Sequence, residues 1–239
     1  MATDELFRED AALAECDAVV VALGDGGLVL DRTVFYPQGG GQAGDRGVLR
    51  LADGRELHVA DTRKGDAGAV LHVPAPGQEA LLAALSPGQA VRALIDPVRR
   101  QRHRCFHTAT HLLCALVPHP VDGCSITADS ARLDFHMTDP LDKDGLNAGL
   151  ARLVAEAHGV RHRWIGEDEL DANPGLVRSM SVQPPRGQGR VRLVEIDGVD
   201  LQPCGGTHVA NTADIGAVFV SKIEKKSART RRVTLGLAD

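Results

Sequence analysis

The chain is 239 residues long, room for one or two domains, and its 43% hydrophobic and 25% charged residues exclude extensive disorder. A formal net charge of −5 excludes a global cationic field for nucleic acid, and 3% aromatic residues argue against a base-stacking face. No run reaches the roughly 18 apolar residues of a membrane span; Met1 to Asp10 carries four acids and one Arg, unlike a targeting peptide; and five cysteines, an odd count, point to free thiols in the cytoplasm.

Up to residue 95 the chain reads as short strands and turns. Cys16 to Leu23 and Leu28 to Val34 flank the turn Gly24-Asp25-Gly26-Gly27 and predict a hairpin. Gly47 to Ala52 and Arg55 to Ala60 repeat the pattern around Asp53-Gly54, and Ala69 to Val73 and Gln89 to Ile95 are further strands, with a helical patch at Gln78 to Leu85. Such spacing predicts a small β-barrel over 1–95. Asp96-Pro97 then reads as a helix cap and first turn, with the helix running to Val117 before Pro118. Cys124 to Thr127 and Ala131 to His136 form a second hairpin. Leu141 to His158 has helical spacing of Leu146, Leu150, Leu153 and Val154. Val160 to Ile165, Arg190 to Ile196, Gly216 to Ile223 and Thr230 to Leu235 are strands, and Asp171 to Gly189, rich in Pro and Gly, a loop. The fold class is therefore α+β: an N-terminal barrel followed by an α+β domain over 96–239.

Two spacings carry chemistry. His107-Thr-Ala-Thr-His111 places two imidazoles on one face of the long helix, about 5–6 Å apart at Cβ. Thr108 stands where a metallopeptidase has its Glu base, which argues against that activity. Cys204-Gly-Gly-Thr-His208 adds a thiolate and an imidazole on a Gly-Gly turn. Together the two pairs make a Cys1His3 donor set suited to Zn2+. Cys114, seven residues from His107, lies about 10.5 Å along the helix axis and reads as core. Cys16, Cys105 and Cys124 have no paired spacing.

These two motifs resemble the editing domain of alanyl-tRNA synthetase and its freestanding relatives, the AlaX proteins. The resemblance extends to Leu30-Asp-Arg-Thr-Val-Phe-Tyr-Pro-Gln-Gly-Gly-Gly-Gln-Ala-Gly-Asp45, to Arg132-Leu-Asp-Phe135 and to Val218-Phe-Val-Ser-Lys-Ile-Glu-Lys-Lys226, and spans nearly the whole chain. It is closest in kind to a medium-length AlaX. The departures are Ser227, where the family often has Gly, and Pro203 before Cys204. The resemblance implies a zinc-binding editing domain that hydrolyses tRNA-Ala mischarged with serine, and often glycine, with zinc on His107, His111, Cys204 and His208. Neighbouring readings are a Ser-tRNA-Thr deacylase, whose editing domains share the ligand arrangement, and a non-catalytic tRNA-binding module with structural zinc.

Ester hydrolysis needs a water, help for the oxyanion and a proton for the ribose oxygen. Four protein ligands are the pattern of a closed site, and three routes reconcile that with catalysis: one ligand yields, the shell expands to five, or the metal only anchors the substrate. A site that bonds the serine hydroxyl rejects alanine; Thr33 is the candidate partner and Thr207 its rival. Gly39 to Gly44 matches a dinucleotide pattern formally but lacks a following helix, so no nucleotide cofactor is expected. The loop instead offers Gln38 or Gln42 to the aminoacylated tRNA end, with Gln42 the catalytic candidate. Arg99, Arg100, Arg102 and Arg104 on the helix, and Lys222, Lys225, Lys226, Arg229, Arg231 and Arg232 near the C-terminus, are candidate phosphate contacts.

Overall fold

The computed structural model describes residues 2–24, 26–177 and 189–238. Asp25 of the predicted turn and residues 178–188 of the predicted loop lie outside the described residues. In chain order the strands and helices of the first part are β1 (Asp4–Glu5), β2 (Glu15–Gly24), β3 (Gly27–Leu30), β4 (Arg32–Thr33), β5 (Gly47–Leu51), β6 (Glu56–Lys64), β7 (Val70–Pro74), α1 (Glu79–Ala83), β8 (Ala90–Ile95) and α2 (Pro97–Leu116). The second part holds β9 (Val121–Ile126), β10 (Ala131–His136), α3 (Lys143–Ala155), β11 (Val160–Gly166), α4 (Glu167–Ala172), β12 (Arg190–Ile196), β13 (Asp200–Pro203), β14 (Val218–Ser227) and β15 (Thr230–Leu237). Contacts divide the chain into two units, 1–39 with 43–101, and 40–42 with 102–239.

The first unit is a closed six-stranded barrel in the order β2-β3-β7-β6-β5-β8. Alternation fills it: Ala18 and Val20 of β2 and Val91, Ala93 and Ile95 of β8 point inward to Leu28, Leu30, Leu49 and Leu57. The predicted strand Leu28 to Val34 is broken at Asp31, whose carboxylate accepts from Val19 N (2.7 Å) and Arg32 N (2.9 Å). The chain beyond it, β4, pairs in parallel with β1 instead. The Gly-rich stretch leads into strand β5, not into a helix.

One buried ion pair organises the stretch around Tyr36 and Asp45. Arg100 and Asp45 have side chains 3% and 1% exposed and are in contact through two guanidinium nitrogens. Arg100 also donates to Val34 O (2.6 Å) and Ala11 O (3.0 Å), while Asp45 accepts from Tyr36 N (2.7 Å). Arg100 is thus a core residue. Its expectation as a phosphate contact is corrected, because every charged donor it has points inward to a partner.

The second unit is α+β. A four-stranded antiparallel sheet, β14-β15-β10-β9, and a three-stranded one, β11-β12-β13, accompany α2 and α3. Asp96 caps α2 as its sequence position dictates, accepting from Arg99 N at 3.0 Å. Phe106, Ala109, Leu112 and Leu113 of α2 are fully buried with Leu150 of α3 and Phe135, Val233 and Leu235 of the sheet. Asp142 caps α3 through Asp144 N (3.1 Å), and Leu146, Leu150 and Leu153 form its buried stripe. The start of the predicted 171–189 loop is helical instead: α4 ends at Ala172 and a 3-10 turn covers Pro174–Leu176. Strand β13 has no counterpart in the sequence reading.

Breaking the barrel's ion pair on one side strands a buried charge, which costs about 3–5 kcal/mol. Asp45→Ala is expected to lower unfolding stability by that amount in urea titration. The double variant Asp45→Leu with Arg100→Met is expected to recover most of it.

Candidate metal centre

The donor atoms of His107, His111, Cys204 and His208 all lie within 4.8 Å of one another. Cys204 Sγ is 3.4 Å from His107 Nε2 and 3.3 Å from His208 Nε2. Zinc bonds of about 2.0–2.3 Å at a tetrahedral angle separate neighbouring donors by about 3.3–3.7 Å; both Cys204 separations fall in that range, and the four donors could together hold a metal ion. His107 and His111 are one turn apart on α2, with ring centroids separated by 5.5 Å. Cys204 follows β13, and the turn that brings His208 back needs a glycine. A Cβ on Gly206 would lie 2.1 Å from His107 Cε1.

Each imidazole is held by its outer nitrogen. His107 Nδ1 is 2.7 Å from Gln42 Oε1, and His111 Nδ1 is 2.9 Å from Asp200 Oδ2. His208 Nδ1 is 3.2 Å from Thr108 Oγ1, whose own hydrogen goes to Arg104 O (2.9 Å). All three rings therefore turn Nε2 to the centre, the arrangement that ligating histidines adopt. The backbone of the ligand loop is pinned as well. Arg192 Nη1 donates to Cys204 O and Gly206 O, both at 3.0 Å, Arg104 Nε donates to His208 O at 2.8 Å, and Val209 N donates to Thr108 Oγ1 at 3.2 Å.

The electrostatics match. Burial opposes the Cys204 thiolate, but the His107 and His208 rings and the hydrogen bonds from His107 and His111 outweigh it and hold the thiol well below its ordinary range. Burial likewise opposes charge on His111, yet Asp200 and Cys204 raise it to about 9. Burial and the His107 charge depress His208 to about 3. The thiolate and the Asp200 carboxylate together carry the charge that a dication neutralises.

Two family descriptions match the chain: "Threonyl and Alanyl tRNA synthetase second additional domain" over residues 191–234, and "tRNA synthetases class II (A)" over residues 7–99. The alanyl-tRNA editing protein AlaX-M of Methanosarcina acetivorans is 33% identical over 248 residues, which cover 99% of this chain and 100% of the relative. AlaX-M of Saccharolobus solfataricus is 31% identical over 97% of each chain. The chain belongs to the AlaX family of alanyl-tRNA editing proteins. It is also 36% identical to the alanine–tRNA ligase of Metallosphaera sedula, over 93% of this chain and 25% of the ligase. The 191–234 match takes in Cys204 and His208, and the AlaX relatives extend over both histidines of α2.

The other expected site residues fall into distinct settings. Gln42 and Thr207 are buried and joined, Gln42 Nε2 donating to Thr207 Oγ1 at 2.9 Å. Thr33 is buried in the barrel unit, its hydroxyl 2.8 Å from His72 Nε2 and accepting from Phe35 N at 3.0 Å. Lys222, Lys225, Lys226 and Arg229 are exposed on the β14–β15 hairpin, with Lys222 3.1 Å from Glu224. Ser227 organises that turn, its Oγ accepting from Arg229 N (3.1 Å) and bonding Thr230 (3.0 Å). Arg231 is corrected: it is buried and donates to the carbonyls of Thr138, Ser227 and Thr230. Arg232 is held by both oxygens of Asp134 at 2.7 and 2.8 Å. Arg99 is half-buried and donates to Gly44 O at 3.3 Å, and Arg102 donates to Ala128 O. The supporting residues Asp200, Gln202, Thr108 and Arg192 escaped the sequence reading. Asp200 and Gln202 are alternate residues of β13, which at four residues offered no periodic signal.

His111 raised to about 9 carries a proton at pH 7 that an incoming metal must displace. Each divalent ion bound at pH 7 is expected to release about one proton, and apparent affinity to weaken up to about tenfold per pH unit as the pH falls below that value. Calorimetry in buffers of different ionisation enthalpy measures both.

Proposed function

We propose that this chain is a zinc-dependent aminoacyl-tRNA deacylase of the cytoplasm that clears serine, and secondarily glycine, from mischarged tRNA-Ala. The observation that carries this reading is the four-donor cluster in a chain aligned end to end with alanyl-tRNA editing proteins. The reaction adds water across the ester: its oxygen stays with the amino acid, the bond to the ribose oxygen breaks, and that oxygen takes a proton. Bound zinc supplies Lewis acidity for such a step.

The chain's own groups supply the rest. The Nδ1 partners of the three histidines prevent ring rotation, so the donor atoms stay convergent through turnover. Thr33 and Thr207 are the two candidate partners of the substrate serine hydroxyl. Both hydroxyls are held by neighbours, which fixes their direction, and a substrate with only a methyl group forgoes the bond. Lys225, Lys226 and Arg229, exposed on one hairpin, suit phosphate contact.

The test is release of labelled serine from Ser-tRNA-Ala, with Ala-tRNA-Ala alongside. Zinc-loaded protein is expected to hydrolyse the first at least about tenfold faster, with the rate at low tRNA concentration falling as salt rises. Cys204→Ala is expected to fold and be inactive. Either Thr33→Val or Thr207→Val is expected to abolish the serine preference. No release from Ser-tRNA-Ala by zinc-loaded protein overturns the reading, and release from Ser-tRNA-Thr alone reassigns the substrate.

A further inference from the structure

Gln42 is fully buried, and its carboxamide can be oriented without ambiguity. Thr207 N lies 3.1 Å from Gln42 Oε1, and a backbone amide can only donate, so the acceptor on that side must be the oxygen. The same oxygen is 2.7 Å from His107 Nδ1. That nitrogen must then carry a hydrogen, so Nε2, the atom facing Cys204 Sγ, is the nitrogen left to bind a metal when the ring is neutral. The other end of the amide donates to Thr207 Oγ1. One side chain therefore sets the tautomer of a ligand on α2 and holds the loop between Cys204 and His208.

The backbone that carries Gln42 is seated to match. Gln42 bridges Ile126 of β9, and Ile126 N donates to Gly41 O at 2.8 Å. Gly41 has φ +86°, and a Cβ there would lie 2.8 Å from Cys124 Sγ. Residues 40–42 accordingly cluster with 102–239, not with the sequence that flanks them. On the other side, a Cβ on Gly206 would approach Gln42 Oε1 to 3.0 Å.

We propose that Gln42 is a positioning residue of the metal centre, acting through His107 and Thr207 rather than by touching substrate. The proposal rests on the metal reading of the four-donor cluster. The experiment is a Co2+ titration followed by the visible absorption of the thiolate-ligated ion, on the full chain and on Gln42→Met and Gln42→Glu, with thermal melts in parallel. The wild type is expected to bind one Co2+. Gln42→Met, similar in size but with no strong acceptor, is expected to bind about 10–100-fold more weakly. Gln42→Glu, whose carboxylate accepts from both His107 and Thr207, is expected to stay within about threefold of wild type.

Folded Gln42→Met with wild-type Co2+ affinity overturns the proposal while leaving the metal reading intact. Absence of Co2+ binding by folded wild type overturns the metal reading, and this proposal with it. If Gln42→Met does not fold, the 15N spectrum of the histidines in the Zn2+-loaded wild type decides. A hydrogen on His107 Nδ1 supports the proposal, and one on Nε2 overturns it.

Discussion

A buried imidazole can offer one nitrogen to a metal only if its other nitrogen has somewhere to send a hydrogen. Left unpaired, that N–H costs more than the ring's packing returns. Three such rings converge here, so the fold must deliver three acceptors to three fixed places. It draws them from unrelated parts of the chain: a glutamine of the Gly-rich stretch, an aspartate of β13 and a threonine of α2 itself. The loop carrying Cys204 and His208 is then tied to the same groups, since Gln42 also accepts from Thr207 N and Thr108 from Val209 N. Ligand and support are one hydrogen-bonded network.

The acceptors differ in strength, and so do the rings they hold. Asp200 is a full charge, further bonded by Gln202 Nε2 at 2.8 Å, and it makes His111 the most basic of the rings whose shift is resolved. A neutral hydroxyl faces His208, which burial and the neighbouring His107 charge depress. Arg192 balances the negative side, pinning the backbone around the thiolate with a buried cation.

The four-donor cluster was legible in the sequence because an i, i+4 pair of donors is a local pattern, on a helix whose Asp-Pro start and apolar periodicity are also local. Short strands at regular turns likewise exposed the barrel, and apolar runs the two late strands that became β14 and β15. What stayed hidden depends on contacts between distant residues. Asp200 sits 89 positions from the histidine it supports, on a strand of four residues too short to show a period. Asp31 interrupts a strand through a side-chain bond to Val19 that propensity does not encode. The basic runs misled for the same reason. Charge counts do not distinguish Lys225 and Arg229, which face solvent, from Arg100 and Arg231, which are buried, or from Arg232, which is taken up by Asp134.

The tripeptide Gly40–Gln42 has a consequence for how the chain is born. Gln42 meets Thr207 across 165 residues. At ribosomal speeds of about 5–20 residues per second, the glutamine leaves the tunnel on the order of ten seconds or more before its partner exists. Through that interval the N-terminal strands can close around their own core while three residues wait unmatched. Completion of the four-donor cluster is therefore a late event, reached only after Cys204 to His208 have been synthesised. A nascent chain halted between residues 111 and 203 holds two of the histidines with no thiolate, and one halted between 204 and 206 holds the thiolate with no lock.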